Sequence, residues 1–144
     1  MPDVAGDALN TDLKLRTQIL YDMFTTGNFD GVDHLVAPSM VLHGAAAGPG
    51  ARGPSVYRSM IEDFRAAFSD LELTIVEMIE DGDRVAVRFH ISGTHTGDFA
   101  GVPATNRRFQ ITAFDIVRFE NGQAVEHWGQ ADDMAMLQQL GLLS

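Results

Sequence analysis

Residues 108–131 read RFQITAFDIVRFENGQAVEHWGQA, two runs of alternating apolar and polar residues joined by Asn121-Gly122. An Asn-Gly pair between such runs is a strong hairpin signal, because both residues tolerate the positive φ of a tight turn. In the first run the residues that share the more apolar face are Ile111, Ala113, Asp115, Val117 and Phe119. The segment therefore predicts an antiparallel hairpin that turns one face, with Asp115 on it, towards the core.

The length of the turn decides which residues pair across this hairpin. A two-residue turn would pair Glu120 with Gln123 and mix polar residues into the apolar face. A three-residue loop with a bulge pairs Phe119 with Gln123 instead, and consequently sets Asp115 opposite His127. Because only this second register collects the apolar and small residues on one face, it is the register that we predict.

The predicted register brings together two residues that can perform acid–base chemistry. Asp115 and His127 become neighbours on the inward face, with β-carbons about 5 Å apart. A carboxylate beside an imidazole fixes one tautomer and raises the basicity of the ring, which suits acid–base catalysis near neutral pH. A buried Asp–His pair can equally brace a sheet without any catalytic role. The sequence leaves both interpretations open.

The rest of the chain changes from helical to strand periodicity near residue 71. Before that point we predict a helix capped by Thr11 or Asp12 and ending at Gly27, a short helix over 29–36 closed by Pro38, a strand over 40–43 and a helix from Pro54. After it we predict strands over 71–80, 84–94, 108–120 and 123–131, and a last helix capped by Asp132. Helices followed by antiparallel strands indicate an α+β fold, a curved antiparallel sheet over N-terminal helices with an internal apolar pocket.

Composition narrows the possible functions. The 144 residues show no repeat or long linker, so we expect one domain over 1–144, with residues 1–10 as a flexible tail. Twenty acidic against ten basic residues give a net charge of −10, which argues against nucleic-acid or membrane partners. No apolar run reaches the roughly 20 residues of a membrane span, and we expect a soluble cytoplasmic protein. The absence of cysteine excludes a thiol nucleophile and cysteine metal sites.

Several further residues are candidates for the lining of the pocket. His43 ends a short strand beside the glycine-rich segment 44–53, where it could act as a second proton carrier at the pocket mouth. Tyr57 and Phe64 lie at helical spacing and are more often core than ligand contacts. His95 and His34 are expected to shape a turn and to face solvent, respectively. No HxH or HExxH spacing supports a metal site.

Large apolar residues also fall on the opposite face of the second hairpin. Phe114 and Trp128 alternate with the inward residues and would point outwards. Exposed aromatic side chains on one sheet face are typical of a subunit interface, so we expect a homodimer through this face.

Two segments resemble a known family, the SnoaL-like polyketide cyclases. Gly93–Phe109 reads GTHTGDFAGVPATNRRF, and Phe119–Gly141 reads FENGQAVEHWGQADDMAMLQQLG. The Gly-Thr-His-x-Gly, Gly-x-Pro-x-Thr and Glu-His-Trp…Asp…Gln-Leu-Gly motifs together are similar to that family over nearly the whole chain. The resemblance implies a cone-shaped α+β barrel of the superfamily that includes nuclear transport factor 2 and ketosteroid isomerase.

The resemblance also implies a cyclase or isomerase that uses no cofactor and acts on a hydrophobic carbonyl compound. Such cyclases close a ring by an intramolecular aldol step, with two histidines and an aspartate in the site. His127 matches one histidine, Asp115 stands at the position of the second, and Gly129 stands at that of the aspartate. Phe99 and Val102 would lie on a loop over the mouth, and Gly129, Tyr57 and Phe64 would contact the substrate.

Because position 129 is a glycine, functions other than cyclisation are also considered. Without the family's aspartate, Asp115 and His127 must supply the base, or the chain is a small-molecule binding protein with the same pocket and no catalysis. Some members of the family are hydroxylases, which is a further alternative, and a scaffolding role would need an outer face larger than a homodimer requires.

Overall fold

The structure of the protein, a computed structural model, describes residues 12–44 and 52–143. The predicted tail over 1–10, the Thr11 cap and most of the glycine-rich segment lie outside these residues. The described elements in chain order are α1 (Leu13–Thr26), α2 (Val32–Leu35), β1 (Val36–His43), α3 (Gly53–Ala67), β2 (Glu72–Asp81), β3 (Arg84–Thr94), β4 (Arg108–Glu120), β5 (Gln123–Ala131) and α4 (Asp133–Gln139).

The ends of the helices follow local chemistry. Asp12 caps α1 by accepting a hydrogen bond from the backbone N–H of Leu15 at 3.0 Å, and Gly27 ends the helix in the left-handed conformation, with φ of 69°. Pro54 lies in the first turn of α3, where its missing N–H leaves no helical hydrogen bond unmade. Asp132 caps α4 through the N–H of Ala135. These boundaries confirm the sequence signals.

The region around Pro38 differs from the prediction. The helix expected over 29–36 covers only Val32–Leu35, and the strand expected over 40–43 already begins at Val36. Pro38 therefore lies inside β1 rather than closing a helix. β1 tolerates a proline because it is an edge strand, and its pairing with β5 is irregular between Val36 and Val41.

The five strands form one curved, open sheet in the order β1-β5-β4-β3-β2. Three pairs are antiparallel, but β1 runs parallel to β5, so the sheet is mixed rather than fully antiparallel as expected. One face, called the inner face below, carries the buried residues of β4 and packs against α1 and α3 in a single core; on β4 these are Phe109, Ile111, Ala113, Asp115, Val117 and Phe119. The other face is called the outer face.

The register of the second hairpin corrects the prediction. Glu120 pairs with Gln123 across a two-residue turn, and one extra residue in β5 then shifts the pairing. Asp115 consequently lies opposite Gly129, and His127 lies opposite Val117. From Glu126 onwards the observed register differs from the predicted one by two residues, which leaves these side chains on their predicted faces. Nearer the turn, Ala124 pairs with Phe119 and is buried, so Gln123 and Ala124 lie on the faces opposite to those predicted. Asp115 and His127 are therefore diagonal neighbours on the inner face rather than directly paired.

Nothing in the described helices resembles a membrane span. Within residues 12–44 and 52–143, no helix has the length and apolar character required to cross a bilayer. The cytoplasmic location and the single-domain organisation remain predictions.

Candidate acid–base site

Asp115 lies near the middle of β4 with its carboxylate on the inner face. Asp115 as a whole is 9% exposed, which is low for a residue with an ionisable side chain. Its Oδ2 lies 2.9 Å from Nε2 of His127, which reaches it from β5. The curved sheet thus brings together the two residues that the sequence proposed as a pair, although they are not direct cross-strand partners.

Tyr21, which the sequence analysis did not select, completes this cluster from α1. Its hydroxyl donates to Oδ2 of Asp115 at 2.5 Å and lies 3.4 Å from Nε2 of His127. Burial of the ring, followed by the charge of Asp115 and the hydrogen bond to it, raises the pKa of Tyr21 well above its usual value. Tyr21 is therefore a hydrogen-bond donor throughout the physiological pH range.

A signal for Tyr21 does exist in the sequence. Thr17, Leu20, Tyr21 and Phe24 follow the i, i+3, i+4, i+7 spacing of one helix face, and all four are buried. This spacing places a phenol on the helix face that meets the sheet. The pattern alone does not show which residue of β4 the phenol would reach.

The hydrogen bonds assign the tautomer of His127. A carboxylate oxygen accepts hydrogen bonds and does not donate them, so the hydrogen between His127 and Asp115 belongs to Nε2 of the ring. Nδ1 then carries a lone pair. It is buried, and among residues 12–44 and 52–143 it has no hydrogen-bond partner. Buried polar atoms are nearly always paired, so the unpaired Nδ1 of His127, called open below because no hydrogen bond occupies it, is the candidate atom for taking a proton from a ligand.

Gly129 contributes to the cluster by having no side chain. A Cβ built at Gly129 would lie 2.7 Å from Oδ1 of Asp115 and 3.3 Å from Cε1 of His127. The first distance is shorter than carbon and oxygen tolerate without movement. The glycine therefore provides the space in which the carboxylate of Asp115 lies.

Tyr57 is a second buried phenol near this cluster. Its hydroxyl donates to the backbone carbonyl of Leu20 at 2.6 Å rather than to a side chain. Burial, followed by the negative charge of Asp115, raises the pKa of Tyr57 well above its usual value. This hydrogen bond joins α3 to α1 at Leu20, the residue before Tyr21.

The other predicted substrate contacts cluster at the end of α3. The rings of Phe64 and Phe99 have centroids 5.3 Å apart. Phe99 and Val102 exchange two backbone hydrogen bonds of 3.0 and 2.8 Å around a tight turn. This turn packs on the core through Phe68, which lies 5.2 Å from Phe99 between ring centroids. Contact of these residues with a substrate remains a prediction.

His43 is not part of the acid–base cluster. On β1 the buried Leu42 pairs with His127, so the next residue, His43, points to the outer face. There its Nε2 lies 2.9 Å from Oε2 of Glu126, and its ring stacks on Trp128 with centroids 4.9 Å apart. The strand alternation therefore separates His43 from the two residues with which it was expected to act.

The outer face contains an open cavity of about 550 Å³. Phe114 and Trp128, predicted to point outwards, both line it, and Phe114 is 58% exposed. The other lining residues come from all five strands and the segment after β1: His43, Gly44, Glu77, Ile79, Ala86, Val87, Arg88, Asp115, Ile116, Gly129 and Gln130. This cavity, called the outer groove below, lies on the opposite side of the sheet from the Asp115 carboxylate.

The remaining histidines lie outside the cluster. His95 is fully buried, and its Nδ1 accepts a hydrogen bond from the backbone N–H of Thr105, which ties the two ends of the segment between β3 and β4 together. This agrees with the expected turn-shaping role. His34 is exposed on α2, as expected. In the described part of the chain, no group of three or more His, Cys, Asp or Glu side chains could hold a metal ion.

The sequence comparisons with known proteins all indicate one family. The sequence model of the SnoaL-like polyketide cyclases matches residues 14–140. Nogalonic acid methyl ester cyclase from Streptomyces nogalater is 32% identical over 120 residues, which cover 82% of this chain and 89% of that protein. Aklanonic acid methyl ester cyclase DnrD from Streptomyces peucetius is 28% identical over 124 residues, 85% of this chain and 86% of that one.

The fold agrees with a solved structure. TsrD from Streptomyces laurentii superposes with a TM-score of 0.82 at 26% identity, and the alignment covers 99% of this chain and 100% of TsrD.

Proposed function

The chain belongs to the SnoaL-like polyketide cyclase family, and we propose that it closes a ring of a polyketide by an intramolecular aldol reaction in which His127 and Asp115 perform the acid–base chemistry. The observation that carries this proposal is the open Nδ1 of His127. The opposite nitrogen of the same ring is held by Asp115, so the ring can take a proton only on the open side.

The proposed reaction needs one proton carrier and no change of oxidation state. Nδ1 of His127 removes a proton from a carbon next to a carbonyl group, and Asp115 stabilises the resulting imidazolium. The enolate carbon forms a bond to a second carbonyl carbon of the same molecule. The electron pair of that carbonyl moves to its oxygen, which receives the proton back from Nδ1.

The substrate class follows from the relatives and the surroundings of the site. The two cyclases described above are named for methyl esters of aklanonic and nogalonic acid. We extend this to a hydrophobic polyketide ester, with Tyr57, Phe64, Phe99 and Val102 as the apolar contacts. Gly129 would contact the substrate through its backbone, since the space that a side chain would need is taken by the Asp115 carboxylate.

Turnover of these two methyl esters by the Asp115→Asn variant tests the proposal. An amide keeps the shape of the side chain but can donate to Nε2, which would move the ring hydrogen to Nδ1 and block the open acceptor. We expect the fold to be kept and turnover to fall at least about tenfold, in line with general acid–base contributions. Asp63→Asn, an exposed change on α3, is the matched control.

The alternatives give different results in the same assay. Unchanged turnover in Asp115→Asn would contradict the proposal. A binding protein would retain the ester without forming product, and His127→Ala would weaken binding only modestly. A hydroxylase would yield a product with one additional oxygen atom, detected by mass spectrometry.

We also propose that the chain forms a homodimer through the outer face. Phe114, Ile79 and Ile116 are 58%, 62% and 40% exposed, and they line the outer groove with Trp128. Contiguous exposed apolar side chains of this kind mark interaction surfaces on soluble proteins. A second copy of the chain related by a two-fold axis would cover both grooves with one self-complementary contact.

A further inference from the structure

We infer that Tyr21 is a positioning residue for the acid–base pair: its hydroxyl holds the Asp115 carboxylate in the orientation that keeps the hydrogen of His127 on Nε2 and Nδ1 open to the substrate. This inference rests on the proposed function for its catalytic consequence, but the geometry of the three side chains carries it independently.

Two donors meet on one oxygen atom of Asp115. Oδ2 of Asp115 accepts from the Tyr21 hydroxyl at 2.5 Å and from Nε2 of His127 at 2.9 Å. The other oxygen, Oδ1, faces the space left by Gly129. If the Tyr21 hydroxyl were absent, one donor fewer would define the rotation of the carboxylate about its Cβ–Cγ bond. Tyr21 thus selects which oxygen faces His127.

Packing fixes the position of the Tyr21 hydroxyl. The Tyr21 ring is 2% exposed and meets Phe89 edge to face, with centroids 5.3 Å apart. The ring of Phe24 lies 6.2 Å away between centroids. Since the ring cannot move without disturbing these contacts, the hydroxyl is a fixed point against which the carboxylate is aligned.

The two phenols near Asp115 and His127 are neutral. On the inner face, His127 contacts two titratable groups, Asp115 from β4 and Tyr21 from α1. A third group, Tyr57 from α3, lies within electrostatic range of Asp115. Burial raises the pKa values of both phenols, so both remain neutral. A neutral phenol donates a hydrogen bond to the carboxylate without placing a second negative charge beside it.

The test is the tautomer of His127 in Tyr21→Phe, measured through the ring nitrogen resonances of protein labelled with ¹⁵N. In the unaltered protein we expect neutral His127 to carry its hydrogen on Nε2. In Tyr21→Phe we expect a substantial Nδ1–H population and a fall in kcat of about tenfold, with a smaller change in KM. Tyr57→Phe is the control for the tautomer measurement only, because it removes an equally buried hydroxyl that donates to a backbone carbonyl instead, and its ring is a proposed substrate contact. Tyr57→Phe should leave the His127 tautomer unchanged. The control for kcat is Asp63→Asn, an exposed change on α3.

The outcomes separate this inference from the proposed function. If Tyr21→Phe keeps the Nε2–H tautomer and an unchanged kcat, the inference is overturned. If the protein turns over neither methyl ester but the tautomer responds as expected, the proposed function fails and the positioning role stands.

A measurement on the unaltered protein covers the case in which Tyr21→Phe does not fold. The hydroxyl proton of Tyr21 should exchange slowly with water and show a nuclear Overhauser effect to the Nε2 proton of His127. A rapidly exchanging hydroxyl without that effect would overturn the inference.

Discussion

The carboxylate of Asp115 occupies the space that a side chain at Gly129 would need. Oδ1 of Asp115 lies 2.7 Å from the position of a Cβ on Gly129, and the two residues are paired on neighbouring strands. The family resemblance places an aspartate at position 129 and a histidine at 115. In this chain the carboxylate lies on β4, and its Oδ1 lies where a side chain at position 129 of the neighbouring strand β5 would begin.

This relationship predicts that positions 115 and 129 are energetically coupled. Gly129→Asp alone should crowd two carboxylates together, and we expect a destabilisation of about 1–3 kcal/mol and a large loss of turnover. Asp115→His alone should remove the partner of His127. The double variant, which restores the arrangement implied by the resemblance, should recover part of both losses, because histidine and aspartate can pair across the strands.

A double-mutant cycle measures this coupling by urea unfolding and by turnover of the two methyl esters. Losses that simply add in the double variant would show that the two positions act independently, contrary to the contact seen here. Gly129→Ala serves as a reference, because it adds only the Cβ and no charge.

A second prediction concerns Asp70, which joins the start of β2 to the end of β3. Its carboxylate accepts hydrogen bonds from the backbone N–H and the hydroxyl of Thr94, at 2.5 and 2.9 Å, and these bonds, with a smaller contribution from Arg108, lower its pKa below the usual 3.8. A lowered pKa in the folded state stabilises the protein above the unfolded-state value, and this contribution is lost as the pH falls through the folded-state value.

Asp70→Asn should therefore lower the midpoint of urea unfolding more at pH 7 than at an acidic pH at which the protein is still folded, because the charge-dependent contribution shrinks as the pH falls through the folded-state pKa of Asp70. Asp63→Asn, on the exposed side of α3, is the control at both pH values. An equal loss of stability at both pH values would contradict the charge-dependent role of Asp70.

A third prediction tests the proposed homodimer. Phe114→Lys places a charge in the outer groove, where a dimer would have to bury it, so we expect the protein to become monomeric with its fold intact. Sedimentation equilibrium measures the mass of the species in solution. Met134→Lys is the matched control, because Met134 is 64% exposed on α4 and is not one of the residues that line the groove. A monomeric unaltered protein, or an unchanged dimer in Phe114→Lys, would argue against an interface on this face.

Much of the fold follows from local sequence patterns. The bounds of β3, β4 and β5 agree with the alternation of apolar and polar residues, and the inner face of β4 is the predicted one. Alternation specifies a face because successive side chains of a strand point to opposite sides. The caps at Asp12 and Gly27 are equally local, since each depends on hydrogen bonds within one turn.

Pairing across distant parts of the chain was less predictable. The extra residue in β5 shifts the hairpin register by a bulge, and no turn signal near Asn121-Gly122 marks it. The parallel attachment of β1 to β5 turns His43 outwards, although its position near the glycine-rich segment suggested the pocket mouth. Both outcomes depend on packing between residues far apart in sequence.

The sequence by itself determined that an aspartate and a histidine share the buried face of one hairpin, because only that arrangement collects the apolar residues of both strands on one side of the sheet. Only the tertiary structure decided that Tyr21, 94 residues before Asp115, donates to the same carboxylate oxygen as His127, and that Gly129 makes room for it. The physical reason is that hydrogen bonds are short and directional, so they depend on how helix and sheet pack in three dimensions, which no local pattern specifies.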